Sequence, residues 1–226
     1  MLNKYAMNNF KSTALFSLLF FTFAFFTNAQ DLKWDAVSAG KSFTVGITDN
    51  GKLYSWGKND VGQLGKGTAT SDFIPAQIGT ASNWMQIESG LSHTLALKKD
   101  STLWAWGLND NGQLGDGTTI NRTTPVQIGT RKYAQIACGW QHSCALELDG
   151  TLWAWGDNLK GQVGDSTTID KNIPTKIGTE KWLTIACGNL HTIGITINPE
   201  IYTWGYNAQG QLGTSDNIER ISPYQS

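Results

Sequence analysis

From Trp34 onward, apolar and polar side chains partly alternate in short runs broken by glycine-bearing turns. Tyr133-Ala-Gln-Ile-Ala-Cys138 and Ser143-Cys-Ala-Leu-Glu-Leu148 are two such runs, and Gly139 lies in the linker between them. Together they predict a β-hairpin. Asp149-Gly150 then turns the chain into Thr151-Leu-Trp-Ala-Trp155, because Asp-Gly supplies the positive φ values of a tight hairpin. Asn50-Gly51 holds the same place earlier in the chain. A weaker fourth strand is predicted after each proline, as in Pro125-Val-Gln-Ile128, where proline suits an edge that needs no donor on one side. Each unit reads as a four-stranded antiparallel meander.

That unit occurs four times. Trp56-Gly57, Trp106-Gly107, Trp155-Gly156 and Trp204-Gly205 lie 50, 49 and 49 residues apart. The Gly-Gln pairs at Gly62, Gly112, Gly161 and Gly210 keep the same steps, as do Pro75, Pro125, Pro174 and Pro223. An aromatic series (Trp34, Trp84, Tyr133, Trp182) and a glycine series (Gly40, Gly90, Gly139, Gly188) run in register with them. A period of this length marks one supersecondary unit stacked on copies of itself. The repeats are delimited at about 34–83, 84–132, 133–181 and 182–226.

The Asn-x-x-Gly-Gln-Leu-Gly segment of each unit (Asn59 to Gly65, Asn109 to Gly115, Asn207 to Gly213, and Asn158 to Gly164 with Val163 for Leu) is predicted to be a loop. Asn bonds readily to its own backbone two residues on, and the glycines reach conformations closed to other residues. The Leu or Val is its plug between neighbouring units. The pattern is no phosphate cradle, since no helix follows it and the Gly-Lys-Ser/Thr ending is missing.

Gly-x-x-His, then Leu-Trp-Ala-Trp-Gly, then Asn-x-x-Gly-Gln-Leu-Gly and a later Pro resemble the repeat of the regulator of chromosome condensation family, over residues 34–226. The resemblance implies an all-β fold, a β-propeller of four-stranded antiparallel blades around a central axis. Propellers of this family typically have seven blades, whereas four repeats are present here, the last ending at Pro223-Tyr-Gln-Ser226 where the others continue Pro-x-Gln/Lys-Ile-Gly. The expectation is a partial propeller, a fragment of a longer array.

Residues 1–29 stand outside the array and read as a signal peptide. Lys4 and Lys11 give a basic start, Ala14 to Phe26 is largely apolar, and Thr27-Asn28-Ala29 offers small side chains for cleavage before Gln30. The apolar run is too short for a comfortable membrane span, so residues 30–226 are expected to be exported from a bacterial cytoplasm, to the periplasm, cell surface or medium, and to hold no membrane segment. Removing the leader lysines leaves 15 basic against 18 acidic side chains. A nucleic-acid partner is therefore not expected, because phosphate neutralisation needs a basic surface.

Candidate chemistry is sparse. Cys138 and Cys187 share a repeat position that holds Ala39 and Ser89 in the other units, which favours a small packed side chain. A Cys138–Cys144 bridge across the turn is a minority alternative. His93, His142 and His191 share another position, filled by Phe43 in the first unit. Equivalent residues on facing sheets lie about 10 Å apart, far beyond the ~2 Å bonds of a shared zinc, so these histidines are assigned to the scaffold with the Trp-Gly pairs. Asp49, Asp100 and Asp149 sit at hairpin turns, and Asp116 and Asp165 follow the Gly-Gln loop, where Asp is favoured for local hydrogen bonds. No catalytic residue, metal site or cofactor is assigned.

Function is expected where the repeat is broken. The two residues inside Gly-x-x-His vary: Lys41-Ser42, Leu91-Ser92, Trp140-Gln141 and Asn189-Leu190. Lys41, Leu91, Trp140, Gln141, Asn189 and Leu190 are the candidate contacts for a protein partner, on hairpin tips that a propeller gathers on one face. Trp140 is the foremost anchor, with burial against a neighbouring blade the alternative. A second variable set is Ala69 to Ile74, Thr119 to Thr124 and Thr168 to Ile173. The expected function is an exported, non-enzymatic binding scaffold. The alternatives are guanine-nucleotide exchange, which the family resemblance implies, and inhibition of a secreted enzyme.

Overall fold

The computed structural model describes residues 32–225, so the signal peptide and cleavage position expected from the sequence lie outside the described residues. Fourteen strands make up the fold among them. β1 (Trp34–Ala39), β2 (Phe43–Thr48), β3 (Leu53–Gly57) and β4 (Asp72–Gln77) form one antiparallel sheet in chain order. The other ten strands are hydrogen-bonded without interruption: β5 (Trp84–Ser89), β6 (His93–Lys98), β7 (Thr102–Gly107), β8 (Arg122–Cys138), β9 (His142–Glu147), β10 (Thr151–Gly156), β11 (Lys171–Cys187), β12 (His191–Thr196), β13 (Ile201–Gly205) and β14 (Arg220–Gln225).

The continuity arises because β8 and β11 each serve two blades. The Arg122–Lys132 part of β8 pairs with β7, and Tyr133–Cys138 pairs with β9. In β11, Lys171–Lys181 pairs with β10 and Trp182–Cys187 with β12. The sequence predicts two separate strands at each of these places, around Pro125–Ile128 and Tyr133–Cys138 for instance. One residue makes the difference. Gly79, Gly129 and Gly178 share a φ of 57°, but five positions separate Gly79 from Trp84 and only four separate Gly129 from Tyr133 or Gly178 from Trp182. The shorter linkers keep the ladder, with Thr102 opposite Lys132 and Thr151 opposite Lys181.

Four blades result, forming a partial propeller. Each blade begins with an inner strand: β1, β5, the second half of β8 and the second half of β11, which lie side by side. Each ends with an outer strand that carries the repeat proline, Pro75, Pro125, Pro174 or Pro223, at the edge where a missing N–H is harmless.

The core lies between blades. Phe43, Val45, Ile47, Leu53 and Leu64 of the first blade close on Trp84, Ile87, Ala96 and Trp106 of the second. Leu114 meets Trp155, and Val163 meets Trp204, in the next two seams. The loop plugs predicted from sequence are thus buried in place, with Leu64, Leu114 and Val163 fully enclosed. The loops themselves are organised by longer reaches than predicted. Asn59, Asn109, Asn158 and Asn207 each accept the backbone N–H five residues on through Oδ1, at 2.9–3.0 Å. Their Nδ2 groups donate to carbonyls nine and eleven residues on. An Asx-turn cannot close the whole loop, whereas a buried amide at its centre does.

Candidate functional site

The hairpin tips are built by close approach. A Cβ on Gly139 would stand 2.0 Å from His142 Cε1, and Gly40, Gly90 and Gly188 are filled in the same way by Phe43, His93 and His191. Glycine is required there because the ring of the fourth residue occupies the space. Gly139 N–H then donates to the His142 carbonyl at 2.9 Å, closing a tip of two residues, and the other three tips repeat this bond. The carbonyl of the second tip residue accepts the N–H that follows Trp-Gly: Lys58 to Ser42, Leu108 to Ser92, Asp157 to Gln141 and Tyr206 to Leu190.

Consecutive tips are joined across the blades. Lys41 N–H donates to the Leu91 carbonyl at 3.2 Å, Leu91 N–H to Trp140 at 3.0 Å, and Trp140 N–H to Asn189 at 3.0 Å. The variable residues singled out from sequence therefore form one row with a fixed backbone. Their side chains carry no such duty. Lys41 and Asn189 are exposed, Leu91, Gln141 and Leu190 are half-buried, and Trp140 is 45% exposed. Trp140 is neither a free anchor nor folded away: it stands on the lip between two clefts. One, of about 300 Å³, opens at the inner strands and is lined by Lys41, Leu91, Trp140 and Asn189 above Ser89, Cys138 and Cys187. The other, of about 500 Å³, runs from Trp140 to Leu190, Tyr206 and Gln209.

Beneath the tips, each of the two later seams has one polar relay. His93 Nε2 lies 3.0 Å from Ser143 Oγ, which donates to the Gln113 carbonyl at 2.8 Å. His142 Nε2 lies 3.0 Å from Thr192 Oγ1, which donates to Gln162 at 2.8 Å. The hydroxyl's single proton goes to the carbonyl, so the imidazole donates and its proton is on Nε2. Burial, with His142 alongside, holds the His93 pKa down to about 3, and burial also lowers that of His191. His93 is thus a neutral structural link across its seam. The repeat carboxylates are local too: Asp100 and Asp149 accept from Thr102 and Thr151, and Asp116 and Asp165 pair with Arg122 and Lys171.

The three histidines do not converge. Among the described residues, the one group of three potential metal ligands is His142, Cys144 and Cys187, which sequence spacing alone does not bring together. Cys138 and Cys144 are not bridged; all three thiols are free. The second variable set supplies a separate apolar rim, with Phe73 96% exposed and Ile120 and Ile169 also exposed.

A family model described as "RCC1-like domain" matches residues 22–226. Among curated proteins, the X-linked retinitis pigmentosa GTPase regulator of Canis lupus familiaris is 34% identical over 59 residues, 26% of this chain and 6% of that protein. Its Caenorhabditis elegans homolog is 52% identical over 33 residues, 15% of this chain and 2% of that one. Among solved structures, yeast RCC1 (Prp20) bound to Kap60 superposes with a TM-score of 0.77 at 24% identity, covering 86% of this chain and 49% of that one. Human WBSCR16 gives 0.77 at 26% identity, covering 86% and 53%. The chain spans about half the length of these solved structures and a few per cent of the curated relatives. At the identity of the yeast protein the likeness is one of fold.

Proposed function

We propose, from the premise that this chain belongs to the RCC1-like domain family, that it is an exported, non-enzymatic scaffold that holds a protein partner on its row of hairpin tips. One observation carries the reading. The backbone of Lys41, Leu91, Trp140 and Asn189 is tied blade to blade, while their side chains differ in chemistry and reach the surface. A rigid frame that presents unlike side chains loses little entropy on binding. A partly exposed Trp flanked by clefts is a fit anchor for a protein surface. Non-enzymatic action is supported by the carboxylates and buried histidines, which are engaged in loop and seam hydrogen bonds. Export rests on the leader of residues 1–29, outside the described residues.

Capture from envelope and culture fractions with residues 30–226 tests this. A partner lost on Trp140→Ala and on Leu91→Ala, with unfolding unchanged, is the expected result. Capture that survives both changes but fails on Phe73→Ser would move the interface to the apolar rim and overturn the tip reading.

A second reading, regulation of a small GTPase, is supported by the short stretches similar to the retinitis pigmentosa GTPase regulators. It also draws on the yeast Prp20p structure, described with that protein's binding to Gsp1p and histones. Accelerated release of labelled GDP from a purified small GTPase would favour it over the scaffold.

A further inference from the structure

One seam departs chemically from the others. At the seam between the third and fourth blades, Cys187 at the end of β11 faces His142 and Cys144 at the start of β9, and the ligand atoms of the three all lie within 4.8 Å of one another. The same positions hold His93, Leu95 and Cys138 at the preceding seam, and Phe43, Val45 and Ser89 at the first. An imidazole with two thiols therefore occurs once. Repetition does not explain it.

The imidazole is already in the right form. Because Thr192 Oγ1 gives its proton to Gln162, it accepts from His142 Nε2, and the lone pair is left on Nδ1. His142 is fully buried and its Nδ1 has no hydrogen-bond partner, as is also true of His93 Nδ1, so what sets this seam apart is the pair of thiols facing that lone pair. A ring held through one N–H by a hydrogen-bonded neighbour, with the other nitrogen unprotonated, is how metal-binding histidines are oriented. An orphaned buried lone pair also has a cost, which a metal ion would remove.

We propose that His142, Cys144 and Cys187 form a site for one thiophilic metal ion, of the zinc(II) or copper(I) class. Two thiolates and an imidazole are the ligand set such ions select. Tetrahedral bonds of about 2.3 Å to sulfur and 2.0–2.1 Å to nitrogen place ligand atoms roughly 3.5–3.8 Å apart, so side-chain rotations of about an ångström close the present spacing. On binding, the two thiols release their protons to solvent and two metal–sulfur bonds form. Cys187 lines the 300 Å³ cleft, which gives the ion an entry path and leaves room for water as a fourth ligand. The site would tie β9 to β11 and so join the last two blades.

The test uses the purified protein, stripped with chelator under reducing conditions and then titrated with zinc(II) against a chromophoric chelator, and in parallel with copper(I) against bicinchoninate. Cobalt(II) substitution reads the ligand set through its thiolate charge-transfer and tetrahedral d–d bands. One equivalent of metal is expected with either ion. Cys187→Ser and Cys144→Ser should each remove the charge-transfer intensity of one thiolate and weaken binding at least ~100-fold. Thr192→Val should weaken it about 10–100-fold by freeing the ring. Cys138→Ser, next along the cleft, should change nothing. His142→Phe, which copies the side chain that Phe43 places at this repeat position, separates loss of the ligand from loss of the fold, which circular dichroism checks. Absence of stoichiometric binding, binding indifferent to Cys187→Ser, or a Cys144–Cys187 disulfide by non-reducing mass spectrometry in the protein as isolated would each overturn the proposal.

Discussion

Trp155 donates its indole N–H not within its own blade but to the carbonyl of Gln113 in the blade before, at 2.9 Å. Trp106 does the same to Gln63, and Trp204 to Gln162, both at 3.0 Å. The Trp of each Trp-Gly is thus a rivet between neighbours as well as a core side chain. Gln113 and Gln162 also take the seam hydroxyl, so each carbonyl has two donors.

Trp155→Phe keeps most of the apolar surface and removes the indole donor. Gln113 then keeps only Ser143. A loss of about 1–3 kcal/mol is expected, read as a lower urea midpoint with unchanged slope. Lys41→Ala at an exposed tip should stay within about 0.5 kcal/mol.

Thr94 and Thr192 hold the same place, yet the same substitution should act oppositely on them. Phe43 stands where a histidine would face Thr94, and the Thr94 hydroxyl is buried without a partner. Thr94→Val is expected to be neutral or stabilising, since it removes an unsatisfied polar group. Thr192→Val strands His142 Nε2–H and should cost about 1–3 kcal/mol. Equal destabilisation of the two variants would contradict the seam relay.

Acid should weaken the fold before most of its carboxylates titrate, with half-buried Glu88, whose carboxyl is pushed up by burial, opposing the trend. His93 has a folded pKa of about 3 and an unfolded value of about 6.5. Between those values the unfolded chain binds the extra proton, so stability is intact above pH 6.5 and falls as pH falls below it. The slope from this one group approaches about 1.4 kcal/mol per pH unit. Half-buried His191 adds a smaller share in the same direction. Asp116 and Asp165, held low by their loop hydrogen bonds and ion pairs, respond only nearer pH 4 and below. Denaturant midpoints between pH 7 and 4.5 should decline, and His93→Phe should make the decline shallower even though its stability at pH 7 is lower.

Glycines at two positions should fail for different reasons. Gly139→Ala drives a methyl into the His142 ring and should cost about 1–3 kcal/mol or more. Gly129 has open space around it but a φ of 57°, so Gly129→Ala should cost about 1 kcal/mol. Thermal unfolding of the two variants should rank them in that order.

Much of the scaffold was legible because repetition copies both packing and its cause. The Leu64-type plugs, the outer-edge prolines and the glycine before each His ring recur at one spacing, and each has a local reason. The merged strands β8 and β11 were not legible, since they turn on a single residue between Gly79 and Trp84. The reach of Asn109 to the Leu114 amide was missed because an Asx-turn satisfies the same residue type over a shorter span. The row of tips was legible as a set of variable positions, but its blade-to-blade bonds join residues about fifty apart and leave no mark on side-chain identity. His142, Cys144 and Cys187 were missed for a related reason. Cys187 comes from another blade, and only the mismatch of Leu95 with Cys144 in the repeat alignment hinted at it.

The rivets and relays all point one way along the array. Each seam sets a Gln carbonyl from one blade against a Trp from the next, and the two later seams add a His against a hydroxyl in the same sense, so the stack has a head and a tail. At one end Trp56 and Thr44 are half-buried where Trp106 and Thr94 are enclosed, and at the other His191 and Gln211 are half-buried where His142 and Gln162 are enclosed. Those two faces are each other's mould, and neither is its own. Blades can therefore be added in only one orientation, and two such units meeting like face to like face would set indole donor against indole donor at one end or carbonyl against carbonyl at the other.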